Sequence, residues 1–293
     1  MSEPLNVVAE RSLKELCTIG IGGPAKWYFE AHSIEEMQAA LRYASKNHLR
    51  TFILGKGSNT LFDDRGFNGL VIHDKISFIN ETSKGVFHVG AGYSFSRLGA
   101  QTARQGWSGL EFASGIPGSV GGAVYMNAGA NGSETCGCLT SVDYISESGT
   151  LRTFNREELT FAYRYSSFQE MKGAIVGATF ALTPSLEARE KQRSIINYRT
   201  RTQPYGEKSA GCMFRNPTSQ PAGALIETCG LKGKTYGEAQ VSPLHGNFLI
   251  NTNHATSTDV LHLVNEIQEQ VKAKYGIELE SEVRYIPYND DTV

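Results

Sequence analysis

Residues 109–132 read GLEFASGIPGSVGGAVYMNAGANG, and residues 54–64 read LGKGSNTLFDD. Both stretches combine glycine with Ser and Asn, and each reads as a loop that follows a strand; Thr51-Phe-Ile-Leu54 leads into the shorter one. Glycine lets backbone approach a ligand closely, and successive free N–H groups make a cradle for an anion. A lone glycine pair is best read as a tight turn. Two such loops suit a ligand with two phosphates, hence a dinucleotide or nucleotide diphosphate. Neither familiar nucleotide signature fits. A Walker loop needs Gly five residues before Gly-Lys and Ser or Thr directly after the Lys; here Arg50 holds the first position and Gly57 follows Lys56. Gly20-Ile-Gly-Gly-Pro-Ala25 resembles a dinucleotide fingerprint, but Pro24 falls inside the turn and no strand precedes it. The phosphate reading therefore stands without a Rossmann topology.

Composition narrows the class. The chain has 293 residues, 31 of them Gly and 9 Pro, so it is glycine-rich against an ordinary ~7 % without being low-complexity. At ~100–200 residues per domain, two domains are expected. The formal net charge of −2 gives no footprint for nucleic acid or an anionic membrane. No stretch approaches the ~18 apolar residues of a membrane span. The N-terminal MSEPLNVVAERSLKEL shows no apolar core of a secretory leader. With an odd set of thiols, Cys17, Cys136, Cys138, Cys212 and Cys229, this points to reduced cysteines and a cytoplasmic protein. Cys136-Gly-Cys138 makes at most an incomplete zinc site, and no metal is expected.

The pattern predicts a helix over 33–47, with a capping box from Ser33 to Glu36 and Ile34, Met37, Leu41 and Ala44 on one face. Strands are read at 51–54, 69–72, 88–92 and 175–182. A helix is read from near Ser94 to Gly106, a charged helix-compatible connection over 185–201, and a helix over 257–275 stopped by Gly276. A final strand is read from Leu279 to Ile286. Helices and strands in irregular order make this an α+β protein rather than a doubly wound sheet.

Six ordered motifs then carry a resemblance: LGKGSNTLFDD (54–64), SGIPGSVGGAVYMNAGA (114–130), YRYSSF (163–168), SAGCMFRNP (209–217), VSPLHGNFLIN (241–251) and LESEVR (279–284). From about Thr18 to Arg284 the chain resembles the bacterial UDP-N-acetylenolpyruvoylglucosamine reductases, the MurB family of peptidoglycan synthesis, in their compact form. The resemblance implies a vanillyl-alcohol-oxidase/PCMH-type FAD-binding domain over 1–186, in two α+β subdomains at about 1–72 and 73–186. A smaller α+β substrate-binding domain follows over 187–293, its last residues returning to the first. It implies FAD and NADPH, a cytoplasmic monomer, and a place in cell-wall biogenesis and division. Flavin contacts would come from Leu54, Gly55, Lys56, Gly57, Ser58, Asn59 and Thr60, then from Gly115, Pro117, Gly118, Ser119, Gly121, Gly122 and Ala123. Asn127, Ala128, Gly129, Ile175 and Val176 would complete them. Tyr163, Arg199, Gln203, Asn216, His245 and Arg284 would face the substrate.

The implied reaction explains the remaining residues. Hydride addition to an enol ether is favourable only where the adjacent carboxylate takes up charge, and the next carbon needs a proton. Arg164 and Glu282 match the family positions that stabilise the enolate, and a guanidinium fork suits a carboxylate. Glu280 is the competing acid. Cys212 stands where the best-known members place serine; an ordinary thiol, with a pKa of ~8.5, is protonated at neutral pH and can donate that proton. Thr18-Ile-Gly-Ile-Gly-Gly23 lacks the aromatic and basic residues usual in the first family motif. Two other readings compete. A different flavin oxidase on the same fold explains the loops but not Arg164, Cys212 and Glu282 together. A non-catalytic UDP-sugar or flavin-binding module would need the serine-to-cysteine exchange to abolish proton transfer.

Overall fold

The computed structural model describes residues 5–289. The chain forms two compact units, each assembled from separated segments. The first takes in Trp27–Lys56 and Gly69–Arg199 together with residues up to Val8; the second takes in Ala9–Lys26, Gly57–Asn68 and the chain from Thr200 onward.

In the first unit, α1 (Ile34–Lys46) starts at Ser33, whose side chain accepts from the Glu36 N–H at 3.2 Å. Only half of the expected capping box forms, because the Glu36 carboxylate takes the N–H of His32 at 2.6 Å rather than that of Ser33. Met37, Ala40, Leu41 and Ala44 are buried, so the apolar face is the one the spacing marks. Strand Thr51–Leu54 runs parallel to Phe67–Asp74, with Leu54 opposite His73.

A five-stranded antiparallel sheet dominates the rest of this unit. Its order is Leu151–Asn155, Leu139–Ser146, Gly173–Ala181, Val86–Gly90 and Ile79–Ser83. Alternation along each strand sends Phe87, Val89, Val142, Tyr144, Ala178 and Phe180 into one core, closed by α2 (Phe95–Arg104) and α3 (Val120–Tyr125). Ala174, Val176 and Ile145 belong to a second core with the buried face of α1. The charged connection folds as α4 (Ala188–Thr202), which buries only Ala188 and Ile195.

The second unit holds an antiparallel sheet ordered Lys208–Cys212, Phe248–Asn251, Ala239–Val241 and Thr235–Tyr236. It also holds α5 (Ala222–Thr228) and α6 (Ser257–Tyr275). Here the capping box is complete: Thr256 and Asp259 exchange bonds at 3.0 and 2.9 Å, and Gly276 ends the helix at φ 69°. The Asp64 carboxylate accepts from the Ser257 N–H and hydroxyl, each at 2.8 Å, beside the positive end of α6. The last strand is shorter than its pattern suggests. Only Arg284–Ile286 is regular, parallel to Thr60–Phe62. Residues 280–282 instead bond irregularly with the Met213–Arg215 segment, which breaks their ladder. Among the described residues no helix is long and apolar enough to cross a membrane.

Asp74, at the end of strand Phe67–Asp74, is 6 % exposed and accepts one bond, from the Ile76 N–H at 2.9 Å. Burial pushes its carboxyl up to about 7 from an ordinary 3.8. The unfolded chain therefore releases this proton first. Stability falls as pH rises from about 4 towards 7 and is level above that. Equilibrium unfolding of Asp74→Asn across this range is expected to lack that decline; parallel wild-type and variant profiles would show that Asp74 does not set it.

Candidate active site

The two glycine stretches meet in the first unit. A Cβ on Gly55 would stand 2.3 Å from the Ser119 hydroxyl, so any side chain there must displace that hydroxyl. Ser119 is 3 % exposed and caps α3, its oxygen accepting from the Gly122 N–H at 3.3 Å. Gly121 lies against Ala91, with its N–H donating to the Ala91 carbonyl at 2.8 Å. A Cβ on Gly115 would come within 2.5 Å of the Arg199 side chain, which brings α4 onto the same loop. Ser114, directly before Gly115, is buried, and its hydroxyl has no hydrogen-bond partner among the described residues. A buried orphan hydroxyl calls for an acceptor from outside the chain. Beside two loops narrowed to bare backbone, it fits the phosphates and ribitol of a flavin dinucleotide.

Other expected flavin residues carry structural bonds. Asn127 is fully buried at φ 42°. Its amide donates to the Ala162 carbonyl at 2.9 Å and to Glu134 at 3.0 Å, while its oxygen accepts from the Cys136 N–H at 3.0 Å. The Ala128 carbonyl takes the Thr135 hydroxyl at 2.7 Å, Gly129 pairs opposite Glu134, and Ala123 is buried in α3. Ile175 and Val176 are buried in the central strand, where the Val176 carbonyl accepts from the Ala91 N–H at 3.0 Å.

Arg164 occupies the corner of a hairpin in the first unit, where Ala162 pairs with Tyr165. Its backbone is left-handed, φ 56°, a conformation that costs a non-glycine residue about 1 kcal/mol or more. Its guanidinium carbon lies 4.9 Å from the Tyr163 ring centroid, a cation–π contact.

The second unit brings Cys212, Glu282 and the end of the 54–60 loop together. Cys212 ends its strand opposite Phe248, after a bulge that includes Gly211 at φ 83°. The next residue, Met213, donates to the Asn247 carbonyl and accepts from the Glu282 N–H, both at 2.8 Å. The Asn59 amide donates to the Glu282 carbonyl at 3.1 Å, and the Asn59 carbonyl accepts from the Arg284 N–H at 3.1 Å. Glu282 is half-buried, whereas the Glu280 side chain is 75 % exposed and faces Arg215 at 3.6 Å. Gly57 packs its backbone against Leu16 and Cys17 and accepts from the Thr18 N–H at 3.1 Å.

Of the expected substrate residues, Asn216 is exposed, with its side-chain oxygen on the Ala222 N–H at 3.0 Å. Burial lowers the pKa of His245, which sits edge-on to Phe248; its Nδ1 accepts from the Asn247 N–H at 3.2 Å, placing any ring proton of the neutral form on Nε2. Arg284 is exposed on the last strand. Gln203 lines a cleft of about 470 Å³ with Tyr205, Gln240 and Leu244. Asn247 was not singled out in the sequence; its amide bonds the Phe214 N–H and carbonyl at 2.9 and 2.8 Å. Local pattern likewise does not distinguish the Ser114 hydroxyl, at the start of the glycine motif.

A family model described as an FAD binding domain matches residues 25–155, and one described as the C-terminal domain of UDP-N-acetylenolpyruvoylglucosamine reductase matches 203–286. The matched domains and the glycine cradle thus define an FAD-containing oxidoreductase, α+β throughout, with an FAD-binding domain followed by a second domain. A UDP-N-acetylenolpyruvoylglucosamine reductase of Protochlamydia amoebophila is 62 % identical over 277 residues, covering 94 % of this chain and 93 % of that one. The Chlamydia muridarum reductase is 46 % identical, over 97 % and 96 %. The crystal structure of the Thermus caldophilus reductase (MurB) superposes with TM-score 0.82 at 35 % identity, over 97 % and 99 %. The chain belongs to the UDP-N-acetylenolpyruvoylglucosamine reductase family.

Gly55→Ala is expected to displace the Ser119 hydroxyl and with it the α3 cap. Losing ~1 kcal/mol there corresponds to about fivefold weaker flavin binding, read as flavin absorbance per protein with far-ultraviolet circular dichroism unchanged. Full flavin retention would show that the cradle lies elsewhere.

Proposed function

We propose that the chain reduces UDP-N-acetylglucosamine enolpyruvate to UDP-N-acetylmuramate, with NADPH as the source of hydride. Bound FAD supplies the hydride relay between the two. Residues 1–186 would hold the flavin and 187–293 the sugar nucleotide, in a cytoplasmic monomer. The observation that carries the reading is the Met213 carbonyl, which takes the Glu282 N–H at 2.8 Å and so sets Glu282 beside the strand end that bears Cys212.

The residues have complementary work. Substrate carboxylate gains charge when hydride reaches the vinyl carbon. Arg164 offers it a rigid planar fork, preorganised by the Tyr163 ring. Glu282 supports the same enolate from a segment whose backbone Asn59 and Met213 hold in place. Cys212 delivers its thiol proton to the adjoining carbon, and solvent restores it. Gly55, Gly115, Ser119 and Gly121, with Ser114, would receive the flavin diphosphate and ribitol. Asn216, His245, Arg284, Arg199 and Gln203 would address the sugar nucleotide.

Replacing Cys212 separates proton transfer from the rest. Cys212→Ser should still turn over, because a hydroxyl can make the same transfer. Cys212→Ala should lose about 10²–10⁴-fold in substrate reduction. In both variants NADPH should bleach the flavin at the wild-type rate. Stopped-flow absorbance reads both halves, and normal turnover by Cys212→Ala would remove Cys212 as the proton donor.

A further inference from the structure

We infer that Gln169 is a positioning residue for Arg164, anchored on the C-terminal end of α3. The inference rests on the role proposed above for Arg164. Arg164 sits at a hairpin corner with φ 56°, so its peptide carbonyl points where ordinary backbone would not send it. A residue with a side chain holds such a conformation only where its surroundings over-determine it. The side-chain nitrogen of Gln169 donates to this carbonyl at 3.0 Å. The same nitrogen donates to the Tyr125 carbonyl at 2.9 Å, the last residue of α3. Ser166, fully buried on the returning strand of the hairpin, donates its hydroxyl to that same carbonyl at 2.7 Å.

Three features follow from this arrangement. Tyr125 ends a short helix, so its carbonyl lacks an intrahelical donor, and the hairpin supplies two. An amide nitrogen has two hydrogens, and Gln169 gives one to each carbonyl. The helix that anchors the clamp begins at Ser119, against Gly55. Gln169 therefore ties the corner carrying Arg164 to the same short helix whose start forms the phosphate cradle. A loosened clamp lets the left-handed corner relax and carries the guanidinium away from the substrate carboxylate. It leaves the cradle as it was.

Gln169→Met keeps the length and removes both donors; Gln169→Glu is a second donorless variant of the same shape; Gln169→Lys restores donors on a chain one bond longer. The reduced enzyme, prepared with dithionite, is mixed anaerobically with UDP-N-acetylglucosamine enolpyruvate, and flavin reoxidation is followed. A shift of about 1 Å at a reacting group costs up to about a hundredfold. Reoxidation should slow by about tenfold to a hundredfold in Gln169→Met and Gln169→Glu and recover to within about threefold in Gln169→Lys. Flavin content and flavin reduction by NADPH should match wild type. Unchanged reoxidation in both donorless variants overturns the inference, as does an equal slowing of both half-reactions or a failure of Gln169→Lys to recover. Arg164→Lys is measured alongside. If it reoxidises normally, the proposed role of Arg164 fails, whatever Gln169 does. If it is slow while the donorless variants are fast, only the clamp fails.

Discussion

The absence of a side chain at Gly55 is the constraint on which the first unit turns. The Ser119 hydroxyl takes the space a Cβ would fill, at 2.3 Å. That hydroxyl caps α3, and α3 is only Val120–Tyr125 long. Its start therefore fixes its end. The Tyr125 carbonyl at that end accepts from Ser166 and Gln169 of the Arg164 hairpin, while Asn127, just beyond it, donates to the Ala162 carbonyl. A methyl group inserted at one glycine would act along this whole line, because close-packed elements transmit displacement rather than absorb it.

The second unit solves a different problem. Its functional segments are irregular, so their backbone groups have no complete ladder to satisfy them. Asparagine side chains stand in. Asn59 holds the Glu282 carbonyl, and Asn247 bonds both polar groups of Phe214. Asn251 donates to the Ile19 carbonyl at 3.0 Å and accepts from the Ala255 N–H at 2.9 Å. Each such bond contributes only about 1 kcal/mol net, but losing one leaves a buried carbonyl or N–H unpaired at greater cost. These amides let Cys212 and Glu282 keep neighbouring positions without belonging to one continuous strand.

Much of this was legible in the residues. The α1, α2 and α6 stretches carry their caps, stops and 3.6-residue periodicity in local sequence, and each folds close to its expected bounds. The glycine loops and ordered motifs pointed to a flavin protein of this family, and the family comparisons agree. Elements held mainly by distant partners were harder to read. The six residues of α3 are glycine-rich and have little intrinsic helix preference, so their helix depends on the Ser119 cap and on Ala91 behind Gly121. The expected strand over 279–286 is regular only at 284–286, because Met213 and Arg215 compete for the bonds of 280–282.

Sequence by itself determined the class, the family and the chemical types present: bare backbone for phosphates, a guanidinium, a thiol and a carboxylate for the reaction. These follow from residue identity and local spacing, which need no knowledge of what lies opposite. Only the tertiary structure decided which polar groups work on the chain itself. Asn59 and Asn127 read as flavin residues in a motif, yet their amides brace Glu282 and the Arg164 hairpin. Gln169 carries no motif at all. A hydrogen bond is a property of two groups about 3 Å apart. In these cases the second group is supplied by a part of the chain that local pattern does not identify.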